Sequence, residues 1–506
     1  MGISGEPRRV VVEGVEPEID CGRFAIKRTV GDSVAVEADV FADGHDELSA
    51  VLLHRKEGEQ GWDEVPMEPL FNDRWRASFV VQELGTYHYT VEGWVDRFRS
   101  WRRDLAKKAA AGQDVSVELL EGAGLVESAA GRAGGTDASS LRAWASRLRN
   151  SALLAEARVA EAEGDELSRL MSAHPDRSGA ARYRRELSVV VERPRARFSS
   201  WYEMFPRSAS AEPGRHGTFC DVVDRLPYVA SMGFDVLYFP PVHPIGRSFR
   251  KGKNNNPICE PGEPGSPWGI GSEEGGHKAV HPELGTLEDF RHLLAEAARY
   301  GIEIAIDIAL QSSPDHPYVS EHPEWFRHRQ DGTIQYAENP PKKYQDIYPL
   351  DFESARWREL WDEAKSILLF WIEQGVRVFR VDNPHTKPFD FWEWLIREIK
   401  GAYPEVIFLA EAFTRPKVMH RLAKVGFSQS YSYFAWRNTK WELTEYFNEL
   451  TRGPAKDYFR PNLWPNTPDI LTEFLQHGGR AAFISRLVLA ATLGASYGIY
   501  GPAFEL

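Results

Sequence analysis

Apolar and polar side chains alternate along the first hundred residues. SVAVEADV (residues 33–40), RWRASFVV and GTYHYTVEGW each place an apolar residue at every second position, and turn-forming Gly, Asp and Asn lie between them. A period of two is typical of a strand that buries one face. We therefore predict an antiparallel β-sandwich over residues 1–100. Sugar binding, a spacer role and dimerisation are all open as its function.

The period changes to that of a helix over residues 101–187. DLAKKAAAG and SSLRAWASRLRNSALLAEARVAEAEGDELSRLM carry apolar residues at helical spacing. We predict a helical insert, interrupted by a flexible linker at GAGLVESAAGRAGG (residues 122–135). Its alternating arginines and glutamates indicate a solvated or subunit-contacting face and no nucleic-acid site.

Strands and helices alternate from residue 188 to residue 506. The strands include buried runs such as FDVLYF, IEIAIDIAL, VRVFRVD and VIFLAEAF. Repeated strand–helix units predict an α/β fold with a parallel sheet, here a (β/α)8 TIM barrel. A long loop subdomain is predicted at about 308–352, and the eighth strand at 497–501. Because the chain ends at Leu506, we expect the barrel to lack its last helix and to expose unpaired strand edges.

Composition narrows the function classes. The 61 Lys and Arg against 74 Asp and Glu give a formal net charge of −13, and an acidic surface argues against nucleic-acid binding. No window approaches the roughly 20 apolar residues of a membrane span, and MGISGEPRRV lacks the apolar core of a signal peptide. Three cysteines without metal-ligand spacing predict a cytoplasmic protein without a disulfide framework. The aromatic content of 12% suits either sugar stacking or core packing.

Carboxylates accompany the predicted barrel strands. Asp307, Asp382, Glu411 and Asp469 come at the ends of successive buried runs, and Arg380 lies two residues before Asp382. Barrel enzymes hold their active sites at the carboxyl ends of the strands. A buried carboxylate is costly without a partner or a function. One such residue would suit a salt bridge, whereas the whole series predicts an active site.

Three short stretches, FRVDNPH, FLAEAF and NTPD, resemble the catalytic motifs of the α-amylase superfamily (glycoside hydrolase family thirteen). The resemblance implies a retaining double displacement with Asp382 as nucleophile, Glu411 as acid/base and Asp469 as transition-state stabiliser. It also implies that Arg380 orients the nucleophile and that Asp307 is the structural acid of the third strand. Two catalytic carboxyls about 5–5.5 Å apart would favour a covalent glycosyl-enzyme.

Two positions depart from the pattern of that superfamily. Gln311-Ser312 stands where Asn-His is usual, and Pro468 stands where His is usual before the last catalytic Asp. Both histidines normally hold the sugar next to the scissile bond, so the departures argue against a plain amylase. Longer stretches, among them GSPWGIGSEEGGH, AENPPKKYQDIYPLDF, LAEAFTRP and RPNLWPNTPDIL, resemble the bacterial α-1,4-glucan:maltose-1-phosphate maltosyltransferases.

This second resemblance implies a transferase. No His/Asp cluster in the sequence has metal-ligand spacing beyond chance, so we expect that the enzyme needs no metal and no cofactor. The enzyme would move maltosyl units from α-maltose 1-phosphate to the non-reducing 4-OH end of an α-1,4-glucan, release phosphate and act as a homodimer. Such relatives continue into a C-terminal β-domain, so we expect this chain to lack that domain and to be less stable or inactive alone. The alternatives are an amylase-type hydrolase or transglycosylase with a glucan donor, and a non-catalytic carbohydrate-binding protein.

The resemblance further implies a donor pocket. The residues expected near the phosphate supply a cation and neutral donors, and they are Asn339, Lys342, Tyr344 and Asn383. A surface turn with solvated lysines is the alternative interpretation of NPPKK.

The remaining candidates concern sugar recognition. Those expected to hydrogen-bond the donor's sugars are Lys251, with Lys253 and Arg250 as its rivals, Gln311 and Asp346. His385 either lines the acceptor side or is a structural histidine. Trp268, Trp325 and Tyr348 suit either sugar stacking or packing.

Overall fold

The computed structural model describes residues 9–505, and their contacts divide into two compact units. The first comprises the described residues up to 26 together with 31–82 and 86–190. The second comprises 27–30, 83–85 and the described residues from 191 onward.

The N-terminal strands form two sheets. The strands are β1 (Val10–Glu16), β2 (Ile26–Thr29), β3 (Ser33–Ala42), β4 (Leu48–Lys56), β5 (Asp63–Pro66), β6 (Glu68–Pro69), β7 (Arg74–Val80), β8 (Gly85–Val95), β9 (Ala181–Arg182) and β10 (Leu187–Glu192). Over the described residues, one sheet has the order β1-β3-β7-β6 and the other β2-β10-β8-β4-β5, with β9 beside β8. Phe79 of β7 stacks on His54 of β4 with ring centroids 4.4 Å apart, so the sheets pack face to face.

The helices of this region share one apolar core. They are α1 (Arg97–Ala110), α2 (Ser116–Arg132), α3 (Gly135–Arg149), α4 (Ala155–Ala162) and α5 (Asp165–Ala173). The prediction of a flexible linker at 122–135 is wrong, because α2 continues to Arg132. A Cβ on Gly122 would come within 1.9 Å of the Trp101 ring, so this glycine permits the close approach of α1 and α2.

The chain returns to the N-terminal sheet after α5. β9 pairs with β8, and β10 lies between β2 and β8. The alternating run LSVVVE of β10 buries Leu187, Val189 and Val191 on one side. A strand of this sheet therefore spans the position at which we predict the change from helical insert to barrel.

The second unit alternates strands and helices, as the sequence predicts. Its strands are β11 (Ser199–Glu203), β12 (Val236–Phe239), β13 (Glu303–Ile308), β14 (Gln311–Ser312), β15 (Ala337–Asn339), β16 (Lys342–Tyr344), β17 (Tyr348–Pro349), β18 (Val378–Val381), β19 (Ile407–Ala410), β20 (Gln429–Tyr431), β21 (Pro461–Leu463) and β22 (Ser496–Tyr500). Its helices are α6 (Phe219–Ser231), α7 (Leu287–Arg299), α8 (Pro317–Glu321), α9 (Trp357–Glu373), α10 (Phe389–Ala402), α11 (Pro416–Lys424), α12 (Lys440–Arg452), α13 (Glu473–Leu493) and α14 (Gly501–Glu505).

The predicted TIM barrel is confirmed, and it is closed. Within residues 9–505, the parallel order is β11-β12-β13-β18-β19-β20-β21-β22, and β22 returns to pair with β11. The register of that last pair sets Ser199 against Ser496 and Glu203 against Tyr500. The expectation of unpaired barrel edges is therefore wrong, because β22 precedes the end of the chain and supplies the missing pairing.

Large side chains fill the barrel interior. Trp201, Tyr238, Tyr431 and Trp464 are buried in one cluster, with smaller residues of the other strands between them. The rings of Tyr431 and Trp464 stack with centroids 5.0 Å apart. The interior is thus a packed core, and the space for a ligand lies at the carboxyl ends of the strands.

The helices begin and end where local sequence directs. Thr218 and Asp221 form a reciprocal capping box at the start of α6, and Thr286 and Asp289 form another at the start of α7. Gly375, with φ of +110°, follows the end of α9. Across residues 9–505, no helix is both long and apolar enough to cross a membrane.

Candidate active site

One buried arginine contacts three of the predicted site carboxylates. Arg380 Nη1 donates to Asp307 Oδ2 and to Asp382 Oδ1, each at 2.8 Å. Its Nη2 lies 3.7 Å from Glu411 Oε2. Asp307 and Arg380 face each other in the register of β13 and β18, and Glu411 directly follows the neighbouring β19. The barrel thus brings together side chains that are about a hundred residues apart in the chain.

Asn383 connects Asp382 to Glu411. Its side-chain Nδ2 donates to Asp382 Oδ2 at 3.0 Å, and its backbone amide donates to Glu411 Oε2 at 3.2 Å. Asn383 has a φ of +43°, a left-handed conformation that Asn tolerates better than most residues. This conformation lets one residue hold both carboxylates.

Burial changes the protonation of the acids at this site. Loss of solvent raises the pKa of Glu411 to about 7, with the charge of Asp382 adding to the effect and that of Arg380 opposing it. The pKa of Asp307 is also raised to about 7 by burial. The pKa of Asp469 is raised by burial, with Lys342 and Arg380 opposing the rise. Groups that titrate near neutrality can donate and accept protons in a reaction.

A further acid, Glu203, lies beside these groups and is absent from the predicted set. It is 2% exposed at the end of β11, and its Oε2 has no hydrogen-bond partner among the described residues. Burial raises the pKa of Glu203 well above its usual range, and the nearby charges of Asp307 and Asp469 add to the rise. The run RFSSWYEMF carries the signal that would have identified it, an acid at the end of a buried strand.

A cavity of 1240 Å³ opens over these acids. Ten of the predicted residues line it, and they are Lys251, Gln311, Asn339, Lys342, Tyr344, Asp346, Asp382, Asn383, His385 and Asp469. Asp307, Arg380 and Glu411 are not among the lining residues of the described chain. Asp307 and Arg380 are buried, and Arg380 donates to both Asp307 and Asp382, so it joins the buried acid to the one that lines the cavity.

Two cationic rivals of Lys251 differ in position. Lys251 is 6% exposed, lines the cavity and donates through Nζ to Gln345 Oε1 at 2.8 Å. Arg250 instead donates to the backbone carbonyls of Ile245 and Gly246. Lys253 lines the cavity and is exposed. Close to Lys251, Asp346 is 5% exposed, and its Oδ1 has no hydrogen-bond partner among the described residues.

The run AENPPKKY forms a hairpin on the cavity wall. β15 and β16 pair with Asn339 opposite Lys342. Lys342 and Tyr344 line the cavity, whereas the intervening Lys343 does not. The alternation of a strand explains this difference, because successive side chains point to opposite faces.

The three candidates for sugar stacking occupy different places. Trp268 lines the cavity, and its Nε1 donates to Asp307 Oδ2 at 3.1 Å. Trp325 is 3% exposed and stacks on His322 at 3.9 Å, outside the cavity lining. Tyr348 pairs with Ser312 in a two-stranded sheet and also lies outside that lining. Stacking on a sugar in this cavity therefore remains open only for Trp268 among these three.

Several residues of the cavity wall are absent from the set predicted from the sequence. Arg207 follows β11, and Lys387 follows the turn after Asp382. Lys387 Nζ donates to the Asn383 carbonyl at 3.3 Å, and burial lowers its pKa. Phe205 lines the cavity and meets Trp268 edge to face.

Comparison with known proteins gives consistent matches over the whole chain. A family model described as "Alpha-1,4-glucan:maltose-1-phosphate maltosyltransferase, domain N/S" matches residues 8–193, and an α-amylase catalytic-domain model matches residues 203–366. The α-1,4-glucan:maltose-1-phosphate maltosyltransferase of Chlorobaculum tepidum is 56% identical over 99% of this chain and 74% of its own length. The chain belongs to this maltosyltransferase family. The family member of Methylacidiphilum infernorum is 53% identical over the same shares of both chains.

The predicted membership of the maltosyltransferase family is thereby confirmed, and the chain is an enzyme. A solved structure, that of an α-amylase from Lactobacillus plantarum, aligns with a TM-score of 0.49 and 24% identity over 61% of this chain and 71% of that one. The α-amylase model ends at residue 366, before Asp382, Glu411 and Asp469. This match therefore does not reach the three carboxylates at the ends of the later strands.

Proposed function

We propose that this maltosyltransferase transfers maltosyl units from α-maltose 1-phosphate to the non-reducing 4-OH end of an α-1,4-glucan and releases phosphate. The membership of the family supports the substrates, and the maltosyltransferases it resembles carry both in their names. The single observation that supports the chemistry is that Arg380 and Asn383 both contact Asp382 and Glu411, which keeps the cavity-lining Asp382 and the neighbouring Glu411 together.

In the proposed first step, an Asp382 oxygen attacks the anomeric carbon of the donor. The bond from that carbon to the phosphate oxygen breaks, and Glu411 gives its proton to the departing phosphate. Arg380 and the side-chain amide of Asn383 each donate to one oxygen of Asp382, which holds the carboxylate in place for the attack. The raised pKa of Glu411, about 7, keeps a usable fraction protonated near neutrality.

The second step reverses the roles. Glu411 takes the proton from the 4-OH of the glucan, whose oxygen attacks the anomeric carbon and breaks the bond to Asp382. Two displacements restore the α configuration. We assign to Asp469, which lines the cavity, the binding of sugar hydroxyls during both steps. Transfer requires that the acceptor, and not water, reaches the intermediate.

The donor's phosphate is assigned to the wall that carries the hairpin. Lys342 supplies a cation, and Asn339, Tyr344 and Asn383 supply neutral donors around the same cavity. Lys342 would attract a phosphate dianion bound there. The carboxylates of Asp382 and Asp469, which line the same cavity, would repel the phosphate once its bond to the sugar is broken. Lys251, Gln311 and Asp346 line the remaining wall, to which we assign the donor's sugars, and His385 we assign to the acceptor side.

The enzyme is best tested with the donor and acceptor together. Incubation with α-maltose 1-phosphate and glycogen should release phosphate and lengthen the glucan in steps of two glucosyl units. Asp382→Ala should abolish both, while Asp390→Ala, an exposed acid at the start of α10, should change neither. Hydrolysis of starch without phosphate release would instead support an amylase-type hydrolase. Turnover that survives Asp382→Ala would contradict the assigned mechanism.

A cytoplasmic homodimer is part of the same proposal. Cys21, Cys220 and Cys259 are free thiols in the described chain, which suits a reducing compartment. The assembly rests on the family likeness. Light scattering after size-exclusion chromatography should give twice the chain mass of 57.4 kDa.

A further inference from the structure

Two histidines and a glutamate from separate loops meet outside the cavity described above. His216 lies between β11 and α6, and His281 and Glu283 lie between β12 and α7. One donor atom of each residue lies within 4.8 Å of the other two. None of the three is among the residues that line the 1240 Å³ cavity. Imidazole nitrogen and carboxylate oxygen together are a donor set that zinc and its neighbours in the periodic table favour.

The distances are close to those of a metal site. His281 Nε2 lies 3.2 Å from Glu283 Oε2, and His216 Nε2 lies 3.9 Å from the same oxygen. Ligands about 2.0–2.1 Å from a tetrahedral ion are separated by about 3.3 Å. Of the three pairs of donor atoms, one therefore already has the required separation and the second needs to close by about half an ångström. The third pair, one nitrogen from each histidine, lies within 4.8 Å. Glu283 is 61% exposed, so its side chain is free to make that adjustment.

The ring of His216 is held in the form that a metal requires. Its Nδ1 lies 2.8 Å from the carbonyl oxygen of Gly217. A carbonyl only accepts hydrogen bonds, so the proton of the neutral ring is on Nδ1 and the lone pair of Nε2 faces Glu283. Metal-binding histidines are commonly oriented by such a second hydrogen bond.

The second histidine limits the affinity. His281 Nδ1 is buried and has no hydrogen-bond partner among the described residues. In the free protein the ring proton is therefore on Nε2, which faces Glu283, and a metal at Nε2 would move that proton to Nδ1. The charge of Arg250 also lies close to His281 and disfavours a cation. Both effects indicate a site of moderate affinity, with water completing the coordination.

We propose that His216, His281 and Glu283 form a binding site for a divalent transition metal of the zinc type. A bound ion would join the loop after β11 to the segment before α7. Arg207 belongs to the first loop, and Trp268 belongs to the β12–α7 connection. The site would therefore stabilise two connections that also supply the cavity wall. The sequence does not reveal the site, since His281 comes 65 positions after His216.

The chain contains a matched control for this site. His322-Pro323-Glu324 repeats the His-Pro-Glu order of residues 281–283, and both segments form a short 3-10 turn. His322 Nδ1 lies 3.5 Å from Glu324 Oε1. Among the described residues, no third His, Cys, Asp or Glu donor completes a cluster with this second pair.

The experiment titrates the intact chain, without chelator, with Zn²⁺ by calorimetry and with Co²⁺ by visible absorption. One equivalent should bind with a Kd of micromolar order, and saturating Zn²⁺ should raise Tm. His216→Gln and Glu283→Gln should each weaken binding by about tenfold or more. Glu324→Gln should leave the affinity unchanged. Both Glu→Gln changes are at exposed positions, so folding is preserved in each.

Three outcomes would overturn the proposal. The first is the absence of saturable binding. The second is binding that His216→Gln and Glu283→Gln leave unchanged, which would mean an adventitious ion only. The third is loss of binding after alkylation of the free thiols, which would place the metal on Cys220 or another cysteine. Phosphate release from α-maltose 1-phosphate should persist in Glu283→Gln, so a failure here is distinguishable from a failure of the proposed reaction.

Discussion

Arg380 Nη1 lies 2.8 Å from Asp382 Oδ1, a contact between two residues at the end of the same strand. The same nitrogen lies 2.8 Å from Asp307, and Nη2 faces Glu411 at 3.7 Å. One guanidinium therefore neutralises part of the charge of three acids. A lysine at this position would keep the charge but would lose the fork that contacts several acids at once.

Arg380→Lys tests this arrangement. We expect kcat/KM to fall on the order of 100-fold, because Asp382, the proposed nucleophile, loses its orientation and part of its electrostatic support. The far-ultraviolet circular dichroism should remain that of the wild type. Arg377→Lys, which changes a half-buried arginine paired with Glu405 at 2.9 Å, is the control and should retain activity. Equal losses in both variants would contradict a special role for Arg380.

The pH dependence of the first step should report the proton of Glu411. An acid must be protonated to act, so kcat/KM should decline as pH rises through about 7, the raised pKa of Glu411. The measurement is phosphate release from α-maltose 1-phosphate between pH 5 and pH 9. Because the pKa of Asp307 is also raised to about 7, a second sugar donor is needed to assign the decline to Glu411.

α-Maltosyl fluoride provides that second donor, because fluoride leaves without taking a proton. The decline above pH 7 should be absent when release of fluoride is followed under single-turnover conditions. Glu411→Gln should then release fluoride but hardly any phosphate. If the rate declines above pH 7 in the same way for both donors, the decline would report the titration of Asp307 or another group, and not that of Glu411.

The sequence predicts the barrel elements well because their patterns are strong. The structure places β12, β18 and β19 within FDVLYF, VRVFRVD and VIFLAEAF, and every residue of these three strands is buried. The acids at their ends could be predicted for the same reason, since a carboxylate after such a run has to enter the barrel mouth. Asp382 and Glu411 could therefore be selected before their contacts were known.

Other features depend on contacts that no local pattern contains. Gly122 suggests a flexible linker by composition, yet the Trp101 ring against it makes it part of a helix contact. Closure of the barrel depends on the pairing of Ser199 with Ser496, nearly three hundred residues apart. Arg250 and Lys251 are adjacent in sequence, and only the fold turns one to backbone carbonyls and the other to the cavity.

Two neighbouring lysines allow a direct contact with the phosphate to be distinguished from a general effect of positive charge. Lys342 lines the cavity, and Lys343 does not. Lys342→Met should raise KM for α-maltose 1-phosphate on the order of tenfold or more, since a hydrogen bond to a charged group contributes about 1.5–3 kcal/mol. Lys343→Met carries the same change of charge on the other face of β16 and should leave KM unchanged. The measurement is initial-rate phosphate release at saturating glycogen, and similar KM values in the two variants would contradict the assignment.

Three buried histidines should make the barrel unit sensitive to acid. His316 Nδ1 accepts from the Tyr318 amide at 3.0 Å, so its Nε2 donates to His277 Nδ1 at 3.1 Å. His277 Nε2 in turn donates to the Ala309 carbonyl at 2.9 Å. The ring of His243 lies beside them, and its centroid is 5.6 Å from that of the His277 ring. His316 and His277 are both neutral in this hydrogen-bonded series. An additional proton on either ring would have no hydrogen-bond acceptor.

Burial lowers the pKa of His243 to about 3, of His277 to about 4 and of His316 to about 2. The unfolded chain binds these protons at about 6.5, so their contribution to stability is complete above that pH and is lost as pH falls below it. Between pH 6.5 and pH 5 each histidine should lower the free energy of unfolding by about 1.6 kcal/mol. Urea unfolding at the two pH values measures the loss.

His277→Gln should reduce the pH dependence, although it lowers stability at pH 7.5, because it removes one titrating group. His292→Gln, at an exposed position of α7, should leave the pH dependence of the wild type intact, and an equal reduction in both variants would show that other groups control the acid response.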